Sequence, residues 1–455
     1  MKPILFFGLL LLLLIATQIQ AQQPHPSNLQ CEYLTNPMGI DATSPRLHWQ
    51  LNDTRQGALQ KAYQIIVGTD SVLVSKGEGN IWDSKKVKSA EQLVTYQGAA
   101  LQPFTKYYWS VTVWDKDKKK CLPATIASFE TGMMQMSNWK GSWISDSENI
   151  SIKSAPYFRK QFKPSGKVKS ARVYIAAAGL YELFINGERV GDHRLDPMYT
   201  RFDRRTLYVT YDVTSMVNSP EVALGVLLGN GWYNHQSTAV WNFDKAPWRA
   251  RPKFCLDLRI TYQDGHEEVI TSGTDWKTSL SPIIFNSIYT AEHHDARLRQ
   301  AGWNTADFND SKWGNVIPVA APSKNIVAQV MQPIRDVEEI VPAYTIMKGN
   351  QNYLYNLGRN IAGISRISVK GERGTVIRLK HSEMVGKDGN VNMSNIDVHY
   401  RPTDDKDPFQ TDIYILNGEG EETFYPHFNY NGFQYVEVTS DRPIEIISLT
   451  GVFMH

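Results

Sequence analysis

Short runs of alternating apolar and polar residues recur through most of the chain, and turn-forming residues interrupt them about every ten positions. The clearest runs lie at 62–67, 107–114, 171–175 and 433–438. A period of two residues is typical of half-buried strands in antiparallel sandwiches. No window keeps the helical period over the roughly 12–15 residues that a stable helix needs. The sequence therefore predicts an all-β fold.

The places where the strand pattern resets predict three tandem β-sandwich domains. They cover residues 28–132, 139–325 and 331–455, with a Met-rich joint at 133–138 and a polar joint, AAPSK, at 320–324. A chain of 455 residues has room for this number of units, because a domain usually takes roughly 100–200 residues.

The amino terminus has the organisation of a secretory signal peptide over residues 1–21. A lysine at position 2 precedes an apolar run at 4–15, and small and polar residues follow up to Ala21. A membrane anchor is the rival interpretation, but a spanning helix needs about 20 apolar residues. No cysteine lies just after the run, which argues against a lipid anchor. We expect export to the periplasm or the extracellular space, with no membrane span.

The three cysteines, Cys31, Cys121 and Cys255, allow at most one internal disulfide. A Cys31–Cys121 pair is possible, since both lie in the first predicted domain. Their wide spacing resembles neither a disulfide scaffold nor a metal site, and it favours buried free thiols.

Several functions are disfavoured by what the sequence contains. The 48 Lys and Arg residues nearly balance the 46 Asp and Glu residues, so the chain lacks the basic surface that nucleic acid requires. His293 and His294 are adjacent, and neighbouring strand residues point to opposite faces, so both cannot easily bind one metal ion. Among the acidic residues Glu383 is the least typical of a solvated surface group, but it has no evident carboxylate partner for glycoside hydrolysis.

Tryptophan placement gives the strongest functional signal. Trp232, Trp241 and Trp248 fall within seventeen residues, and Trp232 lies in the glycine-rich segment 229–235, GNGWYNH. A flat aromatic ring flanked by amide groups suits a sugar, which has apolar C–H faces ringed by hydroxyls. The alternative is that these aromatic residues belong to a core and that the glycines only form turns.

A second motif is Asn186-Gly187, which predicts a two-residue hairpin turn because both residues tolerate positive φ. A contribution of Asn186 to a sugar or calcium site is a secondary hypothesis.

Long segments of the chain resemble the bacterial α-L-rhamnosidases of glycoside hydrolase family 78. PRLHWQL, AYQIIVG and YYWSVTVWD resemble the fibronectin type III-like domain of those enzymes. YELFINGERVGDHRLDPMYTRFDRRTLYVTYDVT and GVLLGNGWY are similar to their amino-terminal sandwich, a galactose-binding-like jelly roll. NIAGISRISVKGERGTVIRLKHSEMVGKDGNV and LTGVFMH resemble their concanavalin-like β-domain.

The resemblance implies a carbohydrate site. In some members the sandwich with these motifs binds rhamnose in a calcium-dependent way. The matching residues are Asn186, Asn230, Trp232 and Tyr233, and the neighbours Asn234 and Trp241 are added to them. Asn186 and Asn234 are the candidate calcium ligands, since amide oxygens suit Ca²⁺.

The resemblance also implies that the hydrolytic glutamates lie in a helical (α/α)₆ barrel after the β-domain, which this β-patterned sequence does not provide. We therefore expect no catalytic residue in these 455 residues. The expected partners are a rhamnose-containing polysaccharide or glycoside and a missing or separately encoded helical catalytic domain. Two alternatives stay open: an autonomous carbohydrate-binding protein, and a hydrolase that uses carboxylates such as Glu383 and Asp405.

Overall fold

The computed structural model describes residues 23–123, 125–349, 351–400 and 408–455. The predicted signal peptide and Asp405 lie outside these residues. Strands account for nearly all the regular structure, which confirms the all-β prediction. The helices that are described are one α-helix, Ser71–Ser75, and four 3₁₀ turns, Met136–Asn138, Phe243–Lys245, Ala296–Leu298 and Asp397–His399. None of the described helices is long and apolar enough to cross a membrane.

The described residues form two compact units, and the first comprises those up to 36, 44–100 and 106–128. Two sheets build it, in the orders β1-β2-β5 and β4-β3-β6-β7. Trp49 lies in its core, edge-on to Tyr63 with 5.4 Å between ring centroids, and its indole N–H donates to Gln60 at 2.9 Å. The strands of this part of the chain are β1 His25–Cys31, β2 Arg46–Asn52, β3 Ala62–Gly68, β4 Trp82–Asp83, β5 Leu93–Thr95, β6 Lys106–Trp114, β7 Lys120–Cys121 and β8 Ala127–Glu130.

The second unit comprises 37–43, 101–105 and 129–455. A six-stranded and a seven-stranded sheet face each other in its first half. The interior side chains of the two sheets, such as Leu183, Leu224, Val173 and Leu256, form one apolar core. The strands are β9 Ile144–Ser145, β10 Pro156–Phe162, β11 Val168–Ala178, β12 Leu180–Ile185, β13 Glu188–Arg189, β14 His193–Arg194, β15 Thr206–Asp212, β16 Val222–Gly229, β17 Lys253–Tyr262, β18 Glu267–Thr271, β19 Lys277–Leu280, β20 Ile283–Ser287, β21 Ala291–Asp295, β22 Gly314–Asn315, β23 Ile317–Pro318 and β24 Ile326–Ala328.

An eleven-stranded sheet fills the second half of this unit. It also takes in β14, β20 and β21 from the preceding segment, because β14 pairs with β25 and β21 runs parallel to β31. The remaining strands are β25 Ile334–Ile340, β26 Tyr344–Gly349, β27 Asn352–Gly371, β28 Val376–Ser382, β29 Met384–Val385, β30 Val391–Asn392, β31 Thr411–Ile415, β32 Glu422–Phe424, β33 Asn431–Ser440 and β34 Ile444–Met454.

Two local predictions are confirmed. Asn186 and Gly187 have φ of 50° and 89° and connect β12 to β13, where Ile185 pairs with Glu188. Cys31, Cys121 and Cys255 are free and buried.

Candidate carbohydrate site

The predicted GNGWYNH segment begins at Gly229, the last residue of β16, and turns back over the end of the strand. Gly231 lies in the left-handed region, with φ of 51°, where a side chain would be strained. Gly229 has no room for a side chain, since a Cβ would lie 2.4 Å from the ring of Phe428. The two glycines thus allow the tight turn that brings Trp232 to the surface.

The side-chain amides of Asn230 and Asn234 stabilise this turn through hydrogen bonds. Asn230 donates to the carbonyls of Lys153 and Asn286 at 3.0 and 3.1 Å, and its oxygen accepts from Asn234 at 2.9 Å. The Asn234 oxygen in turn accepts from the guanidinium of Arg249 at 3.0 Å. Both asparagines are buried, so this geometry gives them a supporting role for the loop. Direct contact with a ligand stays a prediction for them.

Trp232 is half-buried at the centre of an aromatic cluster. Its ring stacks on His235 at 5.2 Å and packs against Phe243 at 5.1 Å. Tyr199 and Trp241 meet it edge-on from two sides, and both are nearly half exposed. Trp232 and Trp241, which sequence analysis selected, are therefore brought together at a partly exposed aromatic surface.

Tyr233, in contrast, is buried. It packs against Phe202, with 5.0 Å between the rings, in an apolar cluster that Trp232 also contacts. Burial raises the pKa of its hydroxyl to about 12. The alternation that exposes Trp232 thus places its neighbour in the core, and a sugar contact by Tyr233 stays a prediction.

A cavity of about 150 Å³ opens beside Trp232. Most of its wall is apolar, from Leu195, Met198 and Ile288, and its rim carries the exposed rings of Tyr199 and Tyr430. Its size suits one small ring more than an extended chain. Tyr199 lies in a segment that sequence analysis connected with the family, but no local pattern links Tyr430 to Trp232, some two hundred positions earlier in the chain.

Several buried polar atoms in this cluster have no hydrogen-bond partner among the described residues. They include both ring nitrogens of His235, the Asp244 Oδ1 and the Trp248 indole N–H. Burial lowers the pKa of His235 to about 4, so the ring is neutral at pH 7, with one donor and one acceptor nitrogen. Unpaired buried groups are costly unless something completes them. The residues that carry these atoms do not line the cavity beside Trp232.

Asn186 does not share this site. It lies beyond the far end of β12, where its amide oxygen accepts from Ala223 N–H at 2.8 Å and its nitrogen faces Ser219. The ladder of β12 on β16, from Ile185–Leu224 to Leu180–Gly229, separates it from Asn230. At roughly 3.3 Å per residue this is a distance of about 20 Å.

The structure therefore does not bring Asn186 and Asn234 to one ion. Ca²⁺ takes about 6–8 oxygen ligands around a single centre. The oxygen of Asn234 already faces the positive guanidinium of Arg249. The two asparagines do not fit a shared calcium site.

Glu383 and the His293-His294 pair are placed elsewhere. One carboxylate oxygen of Glu383 accepts from the Asn395 amide at 2.8 Å. His293 packs on Phe285, whereas His294 packs on Tyr414, on the other face of β21. The two imidazoles point apart, as strand alternation predicts.

Three family models match successive parts of the chain. A Rha78A-like N-terminal immunoglobulin domain matches residues 26–135, an alpha-L-rhamnosidase N-terminal domain matches 166–338, and a bacterial alpha-L-rhamnosidase concanavalin-like domain matches 346–455. The candidate site falls within the second match, with Tyr430 contributed by the third.

Similar proteins carry the same designation. An alpha-L-rhamnosidase of Formosa agariphila is 31% identical over 95% of this chain and 48% of its own length. The structure of an alpha-L-rhamnosidase from Dictyoglumus thermophilum is 36% identical with a TM-score of 0.85, over 95% of this chain and 49% of that one. That of a Streptomyces avermitilis alpha-L-rhamnosidase complexed with L-rhamnose is 26% identical with a TM-score of 0.83, over 95% and 57%. The chain thus spans about half the length of the relatives it matches.

Proposed function

Because the chain belongs to the bacterial α-L-rhamnosidase family and corresponds to the amino-terminal part of its members, we propose that it recognises terminal α-L-rhamnose for an exported enzyme. The whole protein would remove that sugar from plant polysaccharides or glycosides. The observation that carries the binding proposal is the Trp232 cluster, where exposed aromatic faces border an apolar cavity.

Rhamnose suits this site chemically. It is a 6-deoxy sugar, so one end of the ring carries a methyl group and the remaining edges carry hydroxyls. Leu195, Met198 and Ile288 provide an apolar wall for a methyl group. The faces of Trp232 and Tyr199, which line the same cavity, can take the C–H surface of the ring. The complex of the Streptomyces relative with L-rhamnose supports the same sugar.

Calorimetry with L-rhamnose tests the binding. We expect Trp232→Ala to weaken it by about 1–3 kcal/mol, the scale for loss of a central aromatic contact. Tyr199→Ala should weaken binding as well. Its control is Tyr344→Ala, because both tyrosines are 47% exposed and Tyr344 lies on β26. L-Mannose, which adds one hydroxyl at carbon 6, should bind roughly tenfold or more weakly because that hydroxyl enters an apolar wall. Undetectable binding of L-rhamnose, or equal L-rhamnose binding by wild type and Trp232→Ala, would remove the proposal.

A second candidate function is an autonomous carbohydrate-binding protein. An aryl α-L-rhamnoside distinguishes it from an enzyme. We expect the present chain to bind the glycoside without releasing the aryl group, since a pair of carboxylates about 5–9.5 Å apart is needed for hydrolysis and Glu383 contacts an amide instead. Release that disappears in Glu383→Gln would assign catalysis to this chain.

Export is part of the proposal and rests on the apolar run at 4–15. The mass of the protein purified from its native host tests it. A mature chain that begins near Gln22 supports processing, and an amino terminus at Met1 excludes it.

A further inference from the structure

A second cluster of polar groups lies away from the Trp232 cavity, where β21 meets the segment between β32 and β33. Alternation along β21 puts Glu292 and His294 on one face, opposite His293. His427 approaches the same face from the other segment. One ligand atom of each of these three residues lies within 4.8 Å of the other two. The three atoms are thus close enough to surround one ion.

Two of these side chains have atoms without a hydrogen-bond partner. The Glu292 carboxylate is wholly buried, and its Oε2 accepts from the N–H groups of His427 and Phe428 at 3.0 and 3.1 Å. Its Oε1 and the Nδ1 of His294 have no partner among the described residues. An unpaired carboxylate oxygen at full burial is expensive, and a cation would compensate for it.

His427 has the partner that metal-bound histidines usually have. Its Nδ1 lies 3.0 Å from Glu182 Oε2, which leaves Nε2 free. This contact fixes the ring orientation of His427, the role that outer carboxylates have around metal ions.

The cluster also has an open side. His294 and His427 line a cavity of about 470 Å³, whose rim carries Glu419 and Glu421. Two imidazoles and one carboxylate with a free position suit a zinc-class transition metal. They do not suit Ca²⁺, which prefers oxygen ligands in larger number.

From this geometry we propose that Glu292, His294 and His427 bind one Zn²⁺ ion, with Glu182 as the positioning residue of His427 and the fourth coordination site facing the cavity. The ion would join the β21 strand to the segment before β33 and so fasten the two halves of the second unit together.

Metal titration of the chelator-treated full chain tests the proposal. We expect one Zn²⁺ per chain by calorimetry and by elemental analysis after dialysis, and no saturable Ca²⁺ binding at these residues. His427→Gln and Glu292→Gln should each abolish the stoichiometric site. His293→Gln is the matched control, because it removes the adjacent imidazole on the opposite face of β21. Equal Zn²⁺ binding by wild type and His427→Gln overturns the proposal, and so does the absence of stoichiometric binding in wild type.

Two further measurements keep the test independent of folding defects. His427→Gln removes a contact with buried Glu182 and should melt at a lower temperature in chelator. The informative readout is therefore the rise in melting temperature on adding Zn²⁺, which wild type should show and this variant should lose. Glu182→Gln should bind Zn²⁺ about 10–100-fold more weakly, the usual effect of losing an outer carboxylate. Co²⁺ should give visible absorption bands of a four-coordinate complex in wild type. Bands that survive unchanged in His427→Gln would place the ion elsewhere and reject the assignment.

Discussion

His235 illustrates how a single residue can couple function to stability. It is fully buried under Trp232, and neither ring nitrogen has a partner among the described residues. We expect His235→Phe to raise the free energy of unfolding by about 1 kcal/mol at pH 7, as measured by urea denaturation. The change replaces an unsatisfied polar ring with an apolar ring of similar shape. The same change should weaken L-rhamnose binding. A variant that is less stable and binds normally would show that the imidazole has no part in the site.

The same residue gives the chain a defined acid sensitivity. Burial holds the pKa of His235 at about 4 in the folded state, below its ordinary value of 6.5. The unfolded chain therefore binds more protons between these two values, and folded-state stability falls as pH drops through that window. Between pH 7 and pH 5 the loss is about 2 kcal/mol for this group, at about 1.4 kcal/mol per pKa unit. His235→Phe should become more stable relative to wild type by this amount, measured by urea denaturation at both pH values.

At the scale of single residues, the sequence predicts side-chain chemistry better than side-chain direction. Trp232 and Trp241 lie together at a partly exposed surface, as a platform requires. Tyr233 and Asn234 have the right chemistry for a sugar site but are buried. The turn at Gly231 determines which side chains of the GNGWYNH segment are exposed to solvent. The sequence motif alone does not specify the geometry of that turn.

Among the structural elements, the β12–β13 hairpin is the clearest test of what local sequence encodes. Gly187 has φ of 89°, and a Cβ there would lie 3.2 Å from the methyl group of Thr305. We expect Gly187→Ala to lower the free energy of unfolding by about 1–2 kcal/mol. L-Rhamnose affinity should stay unchanged, because the hairpin is about 20 Å along the sheet from the Trp232 loop. Calorimetry measures the affinity and urea denaturation measures the free energy of unfolding, on the same preparation. A fall in affinity would show that the hairpin contributes to the binding site.

Strand pairing marks the limit of what local pattern predicts. Asn186-Gly187 forms its turn as predicted because two adjacent residues determine it. The parallel pairing of β21 with β31 places His293 opposite Ile413. These residues are far apart in sequence, and no local sequence pattern predicts that they pair. The alternation that argued against a His293–His294 metal pair also places Glu292 beside His294. His427 completes that set only through the long-range fold, so sequence reasoning did not find it.

In the whole molecule, the two halves of the second unit share a core as well as strands. One apolar cluster combines Tyr157 and Leu227 with Ile364, Phe428 and Val452. Buried Arg194 makes two hydrogen bonds to Asp336, at 2.9 and 3.0 Å, across the same boundary. Neither half can bury these groups alone.

A truncated chain should therefore lose part of its folded structure. A fragment of residues 23–325 lacks β25, which pairs with β14, and β31, one of the two partners of β21, and it exposes the apolar face of Leu227. Unpaired strand edges and large apolar surfaces favour aggregation. We expect hydrogen exchange to show loss of amide protection along β21, while β3 and β6 of the first unit exchange as slowly as in the full chain. If β21 stays protected in the fragment, the segment ending at residue 325 folds without the eleven-stranded sheet, and the shared core is not needed for its stability.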